Sequence, residues 1–308
     1  MMAIDIAALD TLDVTRQLEL AIQNDQFELH YQPLIDVRDG SMYGVEALIR
    51  WNHPERGLLN PTEFVSLAEE TGLIVAIGSW VLRQACTEFR QMQSRNRDLL
   101  LSVNVSSVQL DDPAFISLLA DIIRQTGIDP HSLQLEITES IFLSDSLRIG
   151  ALFHAIRTLG VTIAFDDFGT GYSSLSYLAK YPVDVVKIDQ YFVQRMGSGH
   201  VNMEIVHLIV HLAHTIGMKV TAEGVETQEQ ADLLSRLGCN IAQGFLYSRP
   251  VSLQTIIAML ACEANASDPI KCRTARPSSG VPAGRSFPSY LASVPARGAR
   301  KYHSISLF

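Results

Sequence analysis

The sequence predicts an α/β fold, a TIM-like (β/α)8 barrel whose first strand runs antiparallel to its neighbours. Eight short apolar runs recur between residues 27 and 245. Helical stretches separate most of them, the alternation that builds a parallel sheet wrapped in helices. The first two runs are parted by only a few residues, including Asp39-Gly40. A parallel crossover needs about a dozen residues or more, whereas Asp-Gly suits a tight hairpin.

The runs, in order, are FELHYQPLI (27–35), MYGVEALIRW (42–51), LLLSVNVS (99–106) and LQLEIT (133–138), then VTIAFD (161–166), DVVKID (184–189), KVTAE (219–223) and NIAQGF (240–245). Within VEALIRW, Val45, Ala47, Ile49 and Trp51 fall on one side, and Glu46, Leu48 and Arg50 on the other. After the second run a helix start is signalled by Asn60 as cap, Pro61 at the first helical position and Glu63 placed to close a capping box. Phe64, Leu67 and Ala68 then face inward, and Gly72 stops the helix. In EIVHLIVHLAHTIG, His207, His211 and His214 share a helical face at metal-like spacing. That helix lies between two strands and away from the strand ends, so surface or packing roles are expected.

The chain has 308 residues, 47% hydrophobic and 19% charged, which describes a packed globular protein with room for a large core. We expect an N-terminal segment at 1–14, one domain at 15–262, and a disordered basic tail at 263–308 rich in Ser, Pro, Ala and Arg. Seven basic residues against Asp268 alone give residues 266–308 about +6, which leaves about −15 of the net −9 on the rest. Such an acidic body does not attract nucleic acid by its field. MMAIDIAALDTLDV carries Asp5, Asp10 and Asp13 and no basic residue, unlike a secretory leader. No apolar run approaches the roughly 20 residues of a membrane span. Cys86, Cys239, Cys262 and Cys272 are scattered, which fits a reducing compartment. A cytoplasmic protein is expected.

Seven of the runs each deliver a polar group, mostly near the strand end: Glu46, Asn104, Glu136, Asp166, Lys187, Glu223 and Gln243. In barrels of this kind the active site is built at the C-terminal strand ends. Five carboxylates (Glu46, Glu136, Asp166, Asp167 and Glu223) with one Lys and one Arg nearby cannot all pair. Two like charges 4 Å apart repel by about 4 kcal/mol at an effective dielectric near 20. Two divalent cations would remove the conflict. Carboxylates and an Asn amide are hard oxygen ligands, suited to Mg²⁺ or Mn²⁺ and not to zinc. In a continuing strand Asp166 and Asp167 would point apart; Gly169 and Gly171 of the following FGTG are expected to turn the chain so that both serve one cluster.

YQPLID, EALIRW, FVSLAEETGLI, SVNVS, LEITES, DDFGTGYSSL, VVKID, AEGVE and QGFLYSRP, in this order, resemble the EAL-domain family of cyclic di-GMP phosphodiesterases over roughly residues 15 to 262. The family takes its name from the tripeptide found here as Glu46-Ala47-Leu48. The resemblance implies a barrel with a reversed first strand and hydrolysis of cyclic di-GMP to linear pGpG with two metal ions. It implies that Glu46, Asn104, Glu136 and Asp166 hold one ion, and that Asp166 bridges to a second held with Asp167 and Glu223. Lys187 is carried over as the residue orienting the attacking water; Glu223 is carried over as a ligand or general base. Glu139 resembles the family residue that pins the DDFGTG loop. Gln32, Leu48 and Arg50 resemble substrate contacts, with Arg50 facing a phosphate, and Glu226 and Gln243 match further site positions. A homodimer through the segment after Asp167 is also implied. The alternatives are a non-catalytic cyclic di-GMP receptor acting through a protein partner, and a hydrolase of another cyclic dinucleotide.

Overall fold

All eight apolar runs become staves of one barrel. The structure, a computed structural model, describes residues 6–96, 98–138, 141, 146–169, 180–196 and 200–265. Its strands are β1 (Phe27–Asp36), β2 (Met42–His53), β3 (Gly57–Leu59), β4 (Leu100–Asn104) and β5 (Leu133–Thr138), followed by β6 (Thr162–Phe168), β7 (Val185–Ile188), β8 (Lys219–Ala222), β9 (Ile241–Ala242) and β10 (Val251–Ser252). From β2 the sheet runs in parallel through β4, β5, β6, β7, β8 and β9. β1 closes it, antiparallel to β2 on one side and to β9 on the other. The reversed first strand is thus as expected. The turn responsible contains Gly40 at φ +72°, and Asp39 Oδ1 accepts from the Ser41 N–H at 2.8 Å. β3 and β10 are short antiparallel additions to β2 and β1 that lie outside the expected set.

The helices are α1 (Ile6–Gln23), α2 (Val65–Glu70), α3 (Ile74–Gln93), α4 (Ser107–Leu110) and α5 (Phe115–Thr126). After them come α6 (Ser146–Thr158), α7 (Gln190–Gln194), α8 (His200–Thr215), α9 (Gln228–Leu237) and α10 (Leu253–Asn265). The helix expected after Asn60 forms in two pieces. Glu63 Oε1 accepts from the Asn60 N–H at 3.1 Å, but Pro61–Glu63 is a 3-10 turn, and buried Phe64 (φ −142°) breaks the helix before α2. Gly72 follows at φ +76°. His207, His211 and His214 are exposed on α8, with His214 Nε2 3.1 Å from Asn240 Oδ1.

The period-two alternation of the staves produces two apolar regions. Outward residues such as Val45, Ala47, Ile49, Val103, Leu135, Ile163, Val186 and Val220 belong to the large core under the helices. Leu34, Leu100 and Ile241 form a separate small cluster. They share strand parity with the polar groups above them, so they are the barrel's inner floor. Burying each aliphatic side chain is worth about 1.5–3 kcal/mol. The outward faces therefore stabilise the barrel and leave the upper interior open to polar residues. Among the described residues, no helix is long and apolar enough to cross a membrane. Most of the expected basic tail, 266–308, and positions Glu139 and 170–179 lie outside the described residues. The latter include Gly171 and most of the segment expected to form a dimer contact.

Candidate active site

Each inward polar group is set by its stave. Gln32 on β1 stands opposite Glu46 on β2, Asn104 on β4 beside Glu136 on β5, and Thr138 beside Asp166 on β6. Lys187 is on β7, and Glu223 and Gln243 directly follow β8 and β9. All of these except half-buried Thr138 are buried.

Lys187 lies at the centre. Its Nζ is 2.5 Å from Glu136 Oε2, 2.6 Å from Glu223 Oε1, 3.3 Å from Asp166 Oδ1 and 3.9 Å from Glu46 Oε1. One cation thus reaches four of the five carboxylates. Glu46 also accepts from Asn104 Nδ2 at 2.7 Å and from Gln243 Nε2 at 2.5 Å, and Gln243 Nε2 reaches Gln32 Oε1 at 2.9 Å. Glu136 Oε1 accepts from Ser102 Oγ at 2.6 Å, and Ser102 in turn from Gln134 Nε2 at 2.9 Å.

Five acids around one ammonium hold protons unequally. Burial pushes the Glu46 carboxyl up, but Lys187 and the bonds from Gln243 and Asn104 outweigh it, and Glu46 sits below the usual carboxylate range. Burial, joined by the charge of Glu46, drives Glu136 well above that range. Asp166 is also raised, chiefly by burial, with Lys187 opposing. Burial pushes Glu223 up to about 8 despite Lys187. Asp167 is pushed up to about 10 by burial and then by Asp166 and Glu223. For Lys187, burial favours the neutral amine, but the four carboxylates outweigh it and raise its affinity for the proton. It is a fixed positive charge.

The acids fit divalent cations. Asp166, Asp167 and Glu223 each offer an oxygen, all within 4.8 Å of one another. Asn104 Oδ1 and Asp166 Oδ2 are buried and accept no hydrogen bond. A buried acceptor left unmade costs about 1–3 kcal/mol, and such acceptors beside a carboxylate cluster mark places for a hard cation.

Asp166 and Asp167 reach the same cluster by a device other than the expected one. β6 continues through Phe168, and its pairing with β7 passes from Phe165–Val186 to Phe168–Ile188. The extra residue is a β-bulge, and Asp167 itself adopts φ +54°. Asp is among the few side chains that tolerate this conformation. The bulge and left-handed Asp167 re-aim the carboxylate; Gly169, at φ +102°, only begins the departure from the strand.

A wall rises from the cluster along β1 and β2. Gln32, half-buried Leu48 and buried Arg50 occupy the inward parity. Arg50 Nη1 donates to the Ile49 carbonyl at 2.7 Å, and Arg50 makes no ion pair among the described residues. Burial lowers its proton affinity, with Glu46 and Glu28 opposing. A buried guanidinium with most donors open suits an anion.

The sequence profile of the EAL domain matches residues 15–250, which span every stave of this site. The chain belongs to the EAL-domain family. It is 40% identical over 255 residues to the Pseudomonas aeruginosa bifunctional diguanylate cyclase/cyclic di-GMP phosphodiesterase MucR, covering 82% of this chain and 37% of that protein. It is 37% identical over 268 residues to the cyclic di-GMP phosphodiesterase NbdA of the same organism, covering 86% and 34%. The matched regions are little more than a third of those relatives' length. Among solved structures, the EAL enzyme Bd1971 bound to cAMP and cyclic di-GMP superposes with a TM-score of 0.80 at 35% identity, covering 82% of this chain and 70% of that one. The MucR phosphodiesterase in complex with c-di-GMP gives 0.76 at 40% identity, covering 79% and 99%.

In this EAL domain the structure brings together Gln32, Glu46, Asn104, Glu136, Asp166, Asp167, Lys187, Glu223 and Gln243. It does not bring in Glu226, which is exposed and accepts from Gln194 Nε2 at 3.2 Å. A further residue, not expected from the sequence, is buried Asp189, which caps α7 by accepting from the Tyr191 N–H at 2.7 Å and pushes the Asp167 proton affinity up further. Its signal was an Asp at a strand-to-helix junction, the position of an N-cap. Ser102 and Gln134 share the inward parity of Asn104 and Glu136, but only the register of β4 against β5 joins Ser102 to Glu136.

Proposed function

We propose that this EAL domain hydrolyses one phosphodiester bond of cyclic di-GMP, giving linear pGpG, with two Mg²⁺ or Mn²⁺ ions. The observation that carries the proposal is the buried convergence of five carboxylates and Asn104, four of the carboxylates in reach of Lys187, with Asn104 Oδ1 and Asp166 Oδ2 among the acceptors left open. Membership of the EAL family supports it, as do relatives named as cyclic di-GMP phosphodiesterases.

In this reading Glu46, Asn104, Glu136 and Asp166 hold one ion, and Asp166, Asp167 and Glu223 the other. The bound cations would supply a nucleophilic water at neutral pH and offset charge on the phosphate and the leaving 3′ oxygen. Lys187 orients that water. It stands between Glu136 and Glu223, where its ammonium can hold the water by hydrogen bonding and charge. Glu223 acts as a ligand, giving up its proton to do so. Arg50 grips a non-bridging phosphate oxygen while Gln32 and Leu48 shape the adjoining wall. Glu226 is exposed and stands clear of the buried cluster.

The test is incubation of the purified chain with cyclic di-GMP and either ion, with products identified by mass spectrometry. Linear pGpG formed only when an ion is present is the expected result. Absence of turnover with both ions would refute the enzymatic reading, and tight ion-independent binding without product would favour a receptor. Glu46→Ala and Lys187→Ala should each reduce turnover by at least about 100-fold, the range for removing a group that stabilises developing charge.

A further inference from the structure

Asn104 is the one neutral residue proposed as a metal ligand, and it is the last residue of β4. A strand's last residue owes its direction to the residues beyond it, and here the next two lead into a fastened corner. Ser106, 1% exposed, donates its hydroxyl to Glu69 Oε1 at 2.5 Å. The same hydroxyl accepts from the Val108 N–H at 3.2 Å, and the Ser106 N–H donates to Gln109 Oε1 at 3.2 Å. This is a capping box that starts α4. Gln109, 2% exposed, lies against Gly78 of α3, where an added Cβ would come within 2.0 Å of Gln109 Nε2. Glu69 is near the end of α2. Three helices therefore converge on the corner two residues beyond Asn104. On the other side, the Val105 N–H donates to the Glu136 carbonyl at 2.9 Å.

The consequence falls on a side chain whose two ends have separate tasks. Asn104 Nδ2 donates to Glu46 Oε1, while Oδ1 is buried and accepts nothing. A rotation of the strand end would turn the amide and take both ends out of place together. We propose that Glu69 is a positioning residue for Asn104: through Ser106 it ties α2 to the corner after β4 and holds the amide oxygen toward the metal site. Among the described residues, no hydrogen bond or ion pair joins the Glu69 carboxylate to the cluster itself. The inference rests on the proposed role of Asn104 and adds a residue to the support of that site.

The test uses the full chain, stripped of metal and titrated with Mn²⁺ by calorimetry, at a temperature where each variant is folded by circular dichroism. Support of ligands from outside the coordination sphere typically contributes about 10–100-fold in affinity. Glu69→Ala and Ser106→Ala should each weaken Mn²⁺ binding about tenfold or more. Glu69→Gln keeps an oxygen that accepts the Ser106 hydroxyl and should stay within about threefold of the parent. A purely structural role would lower the melting temperature of Glu69→Ala and leave its Mn²⁺ affinity alone; that result overturns the proposal, as does equal loss in Glu69→Gln and Glu69→Ala. If Glu69→Ala does not fold, Ser106→Ala against Glu69→Gln decides alone. The readout is independent of cyclic di-GMP: a chain that binds Mn²⁺ as predicted and turns over nothing refutes the hydrolase and leaves this inference standing.

Discussion

Protonation at single residues separates the metal-free and metal-loaded states. Glu223 and Asp167 hold protons up to about 8 and about 10, far above the ordinary carboxylate values of 4.5 and 3.8. A carboxyl raised by folding stabilises the fold fully below its unfolded pKa and loses that contribution as pH rises through the folded value. With a chelator present, the melting temperature should therefore fall as pH climbs from about 5 to about 9. Saturating Mn²⁺ should cancel most of the fall, because the ligands give up their protons to bind. Scanning calorimetry at several pH values, with and without Mn²⁺, checks this; a metal-free melting temperature flat across that range would contradict it. At Asp167 the backbone adds a second constraint, φ +54°. Asp167→Asn keeps the tolerance for that conformation and should fold normally while binding the second ion more weakly. Asp167→Val adds a β-branched side chain at positive φ and should also lose stability, by about 1–3 kcal/mol in denaturant melts.

Elements explain why much of this site was legible in sequence. One polar residue per stave, on the parity opposite the outward apolar residues, already defines an interior row; Glu46 between Val45 and Ala47 and Glu136 between Leu135 and Ile137 are cases. Asp39-Gly40 gave away the reversed strand because only a hairpin can use so few residues. Other features depend on contacts between distant parts of the chain. The bulge in β6 is a mismatch of register with β7, which neither strand shows alone. The Ser102–Glu136 bond depends on how β4 aligns with β5, and the two-piece helix after Asn60 on the burial of Phe64. Gly78 belongs with these: in α3 it reads only as a weak point, yet it makes room for Gln109. Gly78→Ala would gain about 1 kcal/mol of helix propensity in an open helix. Here it should destabilise the protein instead, measured by urea melts, and weaken Mn²⁺ binding by displacing the corner after Asn104. A stability gain would show that Gln109 moves aside freely.

At the scale of the whole molecule, the barrel divides its work between two ends and two faces. Apolar residues fill the outward faces and the inner floor, and the polar residues gather at the end where the parallel strands finish, with all eight staves contributing a group and β6 two. Among the described residues, Lys187 is the one cation inside that cluster, so the full set of ionised carboxylates needs further positive charge. That requirement is the central claim. It is tested most directly by titrating the metal-free chain with Mn²⁺ at neutral pH while counting bound ions and released protons. The account predicts two ions per chain with protons given up on binding, and Asp166→Asn reducing affinity at both positions. No Mn²⁺ or Mg²⁺ bound at millimolar concentration, with the carboxylates kept neutral by their own protons, would contradict it.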